Sequence, residues 1–322
     1  MIPSPDAPPW LRAVRAELDE AYDRIAQIVG RGRGVLVGCP AHANPGDSAI
    51  WIGQILMLRK ILGDRLLVCS HTKLAPDLIA RLPHAEITVL FHGGGNFGDL
   101  WRGHHDFRIA LMTRFPELAY VQLPQSIWFR DQETLQRTRA ALRRTRRFCL
   151  IAREQKSLEF ARRELDTETL LSPDSAFALS PRRFETPIIE ESIVIRRGDL
   201  ESGDADPKPT PGAVEYLREP RMPLWPRAAG WIGRSQLLPT LLANRVSLPF
   251  GEKVPEGRYR HAIELLSGYR RVVTDFLHVH VLSCLLGIEN VLVANAYHKN
   301  RSVWETWTRH APNTAFLERW ED

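Results

Sequence analysis

The chain is 322 residues long, 44% hydrophobic and 25% charged, with a formal net charge of +5. That length exceeds what one hydrophobic core usually fills, so two domains are expected, and the ordinary composition excludes disorder beyond the ends and one central loop. The surplus of arginine suits an anionic small molecule, an anionic lipid surface or a nucleic acid, while no window is apolar for the length of a membrane span.

The first six residues, Met1 to Asp6, lack the basic and apolar regions of a signal peptide. Residues 10–30 place Leu11, Val14, Leu18, Ala21, Ile25 and Ile28 at helical spacing, and the glycines of 30–34 end that helix. Val35 to Gly38 reads as a short buried strand opening into the turn Asn44-Pro45-Gly46-Asp47-Ser48, with a helix over 49–62. Further strands are expected at Leu66 to Cys69, Glu86 to His92, Ala119 to Leu123, Arg147 to Ala152 and Leu170-Leu171, with a helix over 155–165. Strands alternating with helices predict a largely parallel sheet. Six arginines between Arg137 and Arg147 read first as a solvated helix face, and second as a dock for a membrane surface or acidic polymer. No aromatic residues interleave with them, which disfavours nucleic acid.

A boundary is expected near 180–192, followed by a strand at Ser192 to Arg197 and a long or poorly ordered loop over 198–230. Beyond it, strands are read at Arg270 to Asp275 and Asn290 to Ala294, and helices at 277–286 and 302–309. Two α/β halves of this kind predict two Rossmann-like domains facing a cleft, the layout of a GT-B-like group-transfer enzyme. The expected division is 1–185, 190–300 and a helical tail over 301–322. Cys39, Cys69, Cys149 and Cys284 stand far apart and read as reduced core residues of a cytoplasmic protein. No metal-ligand spacing is found.

Several segments can carry chemistry. An apolar run ending in His92-Gly93-Gly94-Gly95-Asn96-Phe97-Gly98-Asp99 brings backbone amides to the carboxyl edge of a sheet, where ligands sit in open α/β folds; a tight turn without a ligand fits equally. Asp47 is either a helix cap or a base and hydroxyl acceptor. Arg153 at a strand end suits a carboxylate or phosphate, or a salt bridge. Of Arg196 and Arg197, alternation sends only one into a cleft. Leu277-His278-Val279-His280 opens a helix, where amides favour an anion and a histidine can donate a proton.

Taken together, these segments resemble the polysaccharide pyruvyl transferase family from about residue 35 to 307. The resemblance rests on Asn44-Pro45-Gly46-Asp47, the glycine run, Leu123-Pro124-Gln125-Ser126, Ala152-Arg153-Glu154 through Ser157, Ser172-Pro173-Asp174 through Phe177, Arg197-Gly198-Asp199-Leu200-Glu201, Leu277 to His280, and Asn295-Ala296-Tyr297-His298-Lys299 through Trp307. Phe276 and Val279 depart from the arginine and glycine that members often carry there.

The resemblance implies transfer of pyruvate from phosphoenolpyruvate, a co-substrate rather than a cofactor, to a sugar, with formation of a ketal in the exopolysaccharide branch. It implies donor contacts from Arg153, Arg197, Leu277, His278 and His280, with His278 as general acid or phosphate ligand. Asp47 or Asp99 is expected to orient or deprotonate the acceptor. Asn44, Gly94, Gly95, Asn96, Trp101, Gln125 and Trp128 are expected on the acceptor side. A lipid-linked oligosaccharide at the inner membrane face is the expected acceptor context, without nucleic acid and without a metal. The rivals are a glycosyltransferase using a nucleotide-sugar and a non-catalytic glycan-binding member.

Overall fold

The computed structural model describes residues 7–203, 208–234 and 238–320; the opening Met1 to Asp6 and part of the 198–230 segment lie outside them. Seven strands form a wholly parallel first sheet: β1 (Arg33–Val37), β2 (Leu66–Val68), β3 (Ile87–Phe91), β4 (Gly94–Gly98), β5 (Ala119–Trp128), β6 (Arg147–Ala152) and β7 (Glu168–Leu171). Their order is β2-β1-β3-β5-β6-β7, with β4 also paired to β5. The second sheet, also parallel, runs β11-β10-β9-β8, from β8 (Glu190–Ile195), β9 (Tyr269–Thr274), β10 (Glu289–Val293) and β11 (Thr314–Leu317).

The first-sheet helices are α1 (Pro9–Val29), α2 (Pro45–Leu62), α3 (Ala75–Ala80), α4 (Arg102–Arg114), α5 (Gln132–Arg144) and α6 (Gln155–Glu164). Then come α7 (Pro211–Tyr216), α8 (Leu224–Arg234), α9 (Thr240–Ser267), α10 (Leu277–Leu286) and α11 (Lys299–Val303). The central strands are mostly apolar because both faces are covered. Leu36, Leu90, Val121 and Ile151 point into a cluster shared with α1, α2 and the second sheet, while Val35, Val89, Tyr120 and Leu150 point into a separate one.

Four expectations need correction. The glycine run is not simply a ligand loop, because Gly94–Gly98 is itself a strand on β5. A Cβ on Gly98 would stand 1.8 Å from the Trp128 carbonyl oxygen and one on Gly93 2.3 Å from that of Pro124, so these glycines serve close backbone approach. The 198–230 segment contains α7 and most of α8 instead of a plain loop. The stretch from 301 is not a helical tail throughout: after one π turn at Trp304–Thr308, β11 adds a strand to the second sheet. The basic stretch 137–147 crosses the end of α5 into β6, and Arg137, Arg139 and Arg147 are ion-paired to Asp106, Glu164 and Glu168. All four cysteines are buried and free.

Helix α9 holds Pro249 and Pro255 in its interior, where proline normally breaks a helix. Pro255 has no N–H for the carbonyl four residues back, that of Gly251. The indole of the fully buried Trp51, on α2, donates to that oxygen at 2.7 Å in its place. The same helix blunts the β2 edge: the Asn244 amide donates to the Val68 carbonyl at 3.0 Å and accepts from the Ser70 amide at 3.1 Å. Trp51→Phe should therefore destabilise the protein by about 1–3 kcal/mol in urea unfolding, the range for an orphaned buried carbonyl. Pro255→Ala, which restores a backbone donor, should recover part of that loss in the Trp51→Phe background and little in the wild type.

Candidate active site

The carboxyl ends of both sheets open on one cavity of about 410 Å³. His42, Ala43, Asn44 and Asp47 after β1, Gly95 and Asn96 of β4, Trp101, His104 and Arg153 wall it from the first sheet; Arg197, Asp199 and Glu201 after β8, residues 276–278 after β9 and Lys299 after β10 wall it from the second. Two helix N-termini meet there. Asn44 caps α2, its side-chain oxygen accepting from the Gly46 amide at 2.9 Å and its amide donating to Asp47 Oδ2 at 3.0 Å. Helix α10 begins after Phe276 with no side-chain cap, which leaves first-turn amides for an anion. A Cβ on Gly46 would stand 2.6 Å from the Cβ of His278, so the two helix ends abut at a glycine.

Arg153 is 1% exposed. Its Nε donates to Ser126 Oγ at 2.8 Å and its Nη1 to Asp174 Oδ2 at 2.7 Å. Nη2 lies at the cavity wall, where a Cβ on Gly95 would come within 3.1 Å of it. Asp174 Oδ2 also faces His278 Nε2 at 3.3 Å, so one carboxylate holds a guanidinium of the first half and an imidazole of the second. Burial would raise the Asp174 carboxyl, but His278 and Arg153 hold it well below the usual carboxylate range.

Arg197 grips Asp199 with Nε and Nη2, at 2.8 and 2.7 Å, and reaches Glu201 with Nη1 at 2.7 Å. Its guanidinium sits 4.5 Å from the Phe276 ring centre, a cation–π contact made by one of the two departures from the family pattern. Lys299 Nζ and the Trp101 indole both donate to Glu201. Burial pulls Lys299 down to about 8 despite Glu201, while Glu201, which burial would raise, is held low by Arg197 and Lys299. Asp47, 3.5 Å from His42, behaves alike: burial would raise it, but His42, His278, His92 and His104 keep it below its ordinary value.

The expected residues therefore divide. Asn44, Asp47, Gly95, Asn96, Trp101, Arg153, Arg197, Leu277 and His278 share the cavity. Asp99 lies off it, its carboxylate accepting from the Arg130 and Asp131 amides at 2.6 and 2.5 Å and tying β4 to α5. His280 is buried away from it, between Asn290 at 2.6 Å and Thr308 at 2.8 Å, and burial holds it near 4, hence neutral. Gln125 is buried with its amide on the Ser126 carbonyl. Gly94, at φ +121°, turns the chain beside Asp47 without lining the cavity, and Trp128 packs 5.0 Å from Tyr297. His42 and His104 were not singled out by the sequence, although both lie just beyond strand ends already read as ligand-facing.

The polysaccharide pyruvyl transferase profile matches residues 44–225. Pyruvyl transferase 1 of Schizosaccharomyces pombe is 30% identical over 81% of this chain, which spans 66% of that relative's length. EpsO of Bacillus subtilis, also named as a pyruvyl transferase, is 28% identical over 87% of this chain and 86% of its own. A crystal structure of an uncharacterized Klebsiella pneumoniae protein superposes with a TM-score of 0.60 at 18% identity, over 95% of this chain and 99% of that one, a likeness of fold alone.

Removing Asp174 would strand the buried Arg153, so Asp174→Asn should cost about 3–5 kcal/mol in denaturant at neutral pH. The native Asp174 carboxyl is held below its ordinary 3.8, so its contribution is present above that value and lost as pH falls below it. Wild-type stability should thus decline more steeply than that of Asp174→Asn in acid, measured by urea unfolding as a function of pH.

Proposed function

The chain belongs to the polysaccharide pyruvyl transferase family, and from that premise we propose that it transfers pyruvate from phosphoenolpyruvate to a sugar of a polysaccharide or its precursor. The observation that carries this reading is the uncapped N-terminus of α10 opening on a cavity that also holds Arg153, Arg197, Lys299 and His278. Phosphoenolpyruvate presents a phosphate and a carboxylate, which call for such partners. In this reading the two sheets belong to two Rossmann-like domains in a GT-B-like arrangement. The first supplies the acceptor side and the second, extended to β11, the donor side.

The chemistry then follows. His278 protonates the donor's methylene carbon, giving a cationic centre at C2. An acceptor hydroxyl adds there and gives up its proton; the C–O bond to phosphate breaks and phosphate leaves with the electron pair. Attack by a second hydroxyl of the same sugar closes a pyruvate ketal and releases one more proton, so the sum is two hydroxyls and one donor for one ketal and one phosphate. Asp47, held ionised, suits orienting the hydroxyl by accepting its hydrogen bond. His104, whose pKa burial lowers, is neutral at pH 7 and suits taking the proton. Trp101 offers an aromatic face to the sugar ring. Asp174, Asp199 and Glu201 offset the charge of Arg153, Arg197 and Lys299, so the first-turn amides of α10 supplement these cations in meeting the donor's charge.

Titration calorimetry should show binding of phosphoenolpyruvate and no comparable response to a nucleotide-sugar; the opposite preference would sink the reading. His278→Ala should lower turnover, followed as phosphate release with a sugar acceptor, by about 10²–10⁴-fold. Lys299 is charged below about 8 and neutral above it. Donor affinity should therefore fall as pH rises through that value in the wild type, and should hold in Lys299→Arg, whose charge persists.

A further inference from the structure

We propose that the exposed face of α8 and the first turn of α9 dock the protein on an anionic lipid bilayer. Leu224, Trp225 and Trp231 of α8 are 83%, 59% and 79% exposed, and Leu241 and Leu242 of α9 53% and 46%. Five large apolar side chains left to water on two adjoining helices are more than scattered surface residues. Two of them are indoles, which favour the headgroup level of a membrane because one edge is polar and the ring is not.

Charge identifies the occupant. Residues 221–250 contain four arginines and no Asp or Glu. Arg221, Arg227 and Arg245 are exposed and have no ion-pair partner among the described residues, unlike the paired Arg137, Arg139 and Arg147 near α5. A second copy of this face would bring like charges together, whereas an anionic headgroup layer neutralises them. No helix among the described residues is long and apolar enough to cross a membrane, so the contact is peripheral. The docking face also adjoins the cavity: a groove between α8 and α9, walled by Met222, Trp231, Phe250 and Val254, reaches Ala41, the residue before cavity-lining His42.

The test is co-sedimentation of the full chain with vesicles of phosphatidylcholine alone and of phosphatidylcholine with phosphatidylglycerol. The protein should pellet with the mixed vesicles only, and less so at high salt. Trp225→Ala/Trp231→Ala should abolish pelleting, and Arg221→Gln/Arg227→Gln/Arg245→Gln should weaken it about 100-fold, while Arg143→Gln/Arg144→Gln on α5 should leave it unchanged. All these side chains are exposed, so equal thermal midpoints are expected, and either of the first two variants suffices if the other fails to fold. Absence of wild-type binding, or binding that survives both of those variants, would overturn the proposal. So would a dimer, seen by light scattering, that Trp225→Ala/Trp231→Ala dissociates while no vesicle binding occurs, since that assigns the face to a second copy.

Discussion

Two guanidinium groups withdrawn from water set the terms for everything at the centre of this protein. Burying a guanidinium is costly, and a carboxylate in good geometry with the remaining donors satisfied offsets that cost. Arg153 meets Asp174 and Ser126; Arg197 meets Asp199 and Glu201. Each arrangement then recruits a group from the opposite half. Asp174 receives His278, and Glu201 receives the Trp101 indole. The carboxylates that make the arginines bearable thus also link the two sheets across the cavity, and Trp307 adds a bond from its indole to the Arg153 carbonyl at 2.7 Å.

The same economy governs the scaffold around the cavity. Where a standard element lacks a donor or crowds a neighbour, a specific residue elsewhere meets the need. Trp51 supplies the hydrogen bond that Pro255 withholds from α9. Glycines at 93 and 98 let β4 lie against β5 at a distance no side chain permits. Asp99 then fastens the end of that strand to the amides that begin α5.

Strands of the first sheet were legible because parallel strands buried on both faces are near-continuous apolar runs, as Val35 to Val37 and Ile87 to Phe91 are. The cavity was legible in outline because it lies at the carboxyl ends of those strands. What escaped was whatever tertiary contact decides. The sequence assigned no element to the span of α9, where Pro249 and Pro255 argue against a helix and the indole that compensates Pro255 is 200 residues away. Strand β4 reads as a loop because glycine has low strand preference. The resemblance counted His280 with His278 among the donor contacts, yet two residues along a helix turn a side chain far round the axis, into Asn290 and Thr308. Glu201 and Lys299 stood in recognisable motifs, but their mutual contact belongs to the assembled fold.

Gly46 brings these threads to a point. It lets the first turn of α2 rest against His278, with no side chain between the helix that carries Asp47 and the one that carries the imidazole. The spacing between a carboxylate of one half and an imidazole of the other is therefore set by two helix ends in van der Waals contact. Any movement of one half against the other that keeps this contact leaves that spacing unchanged.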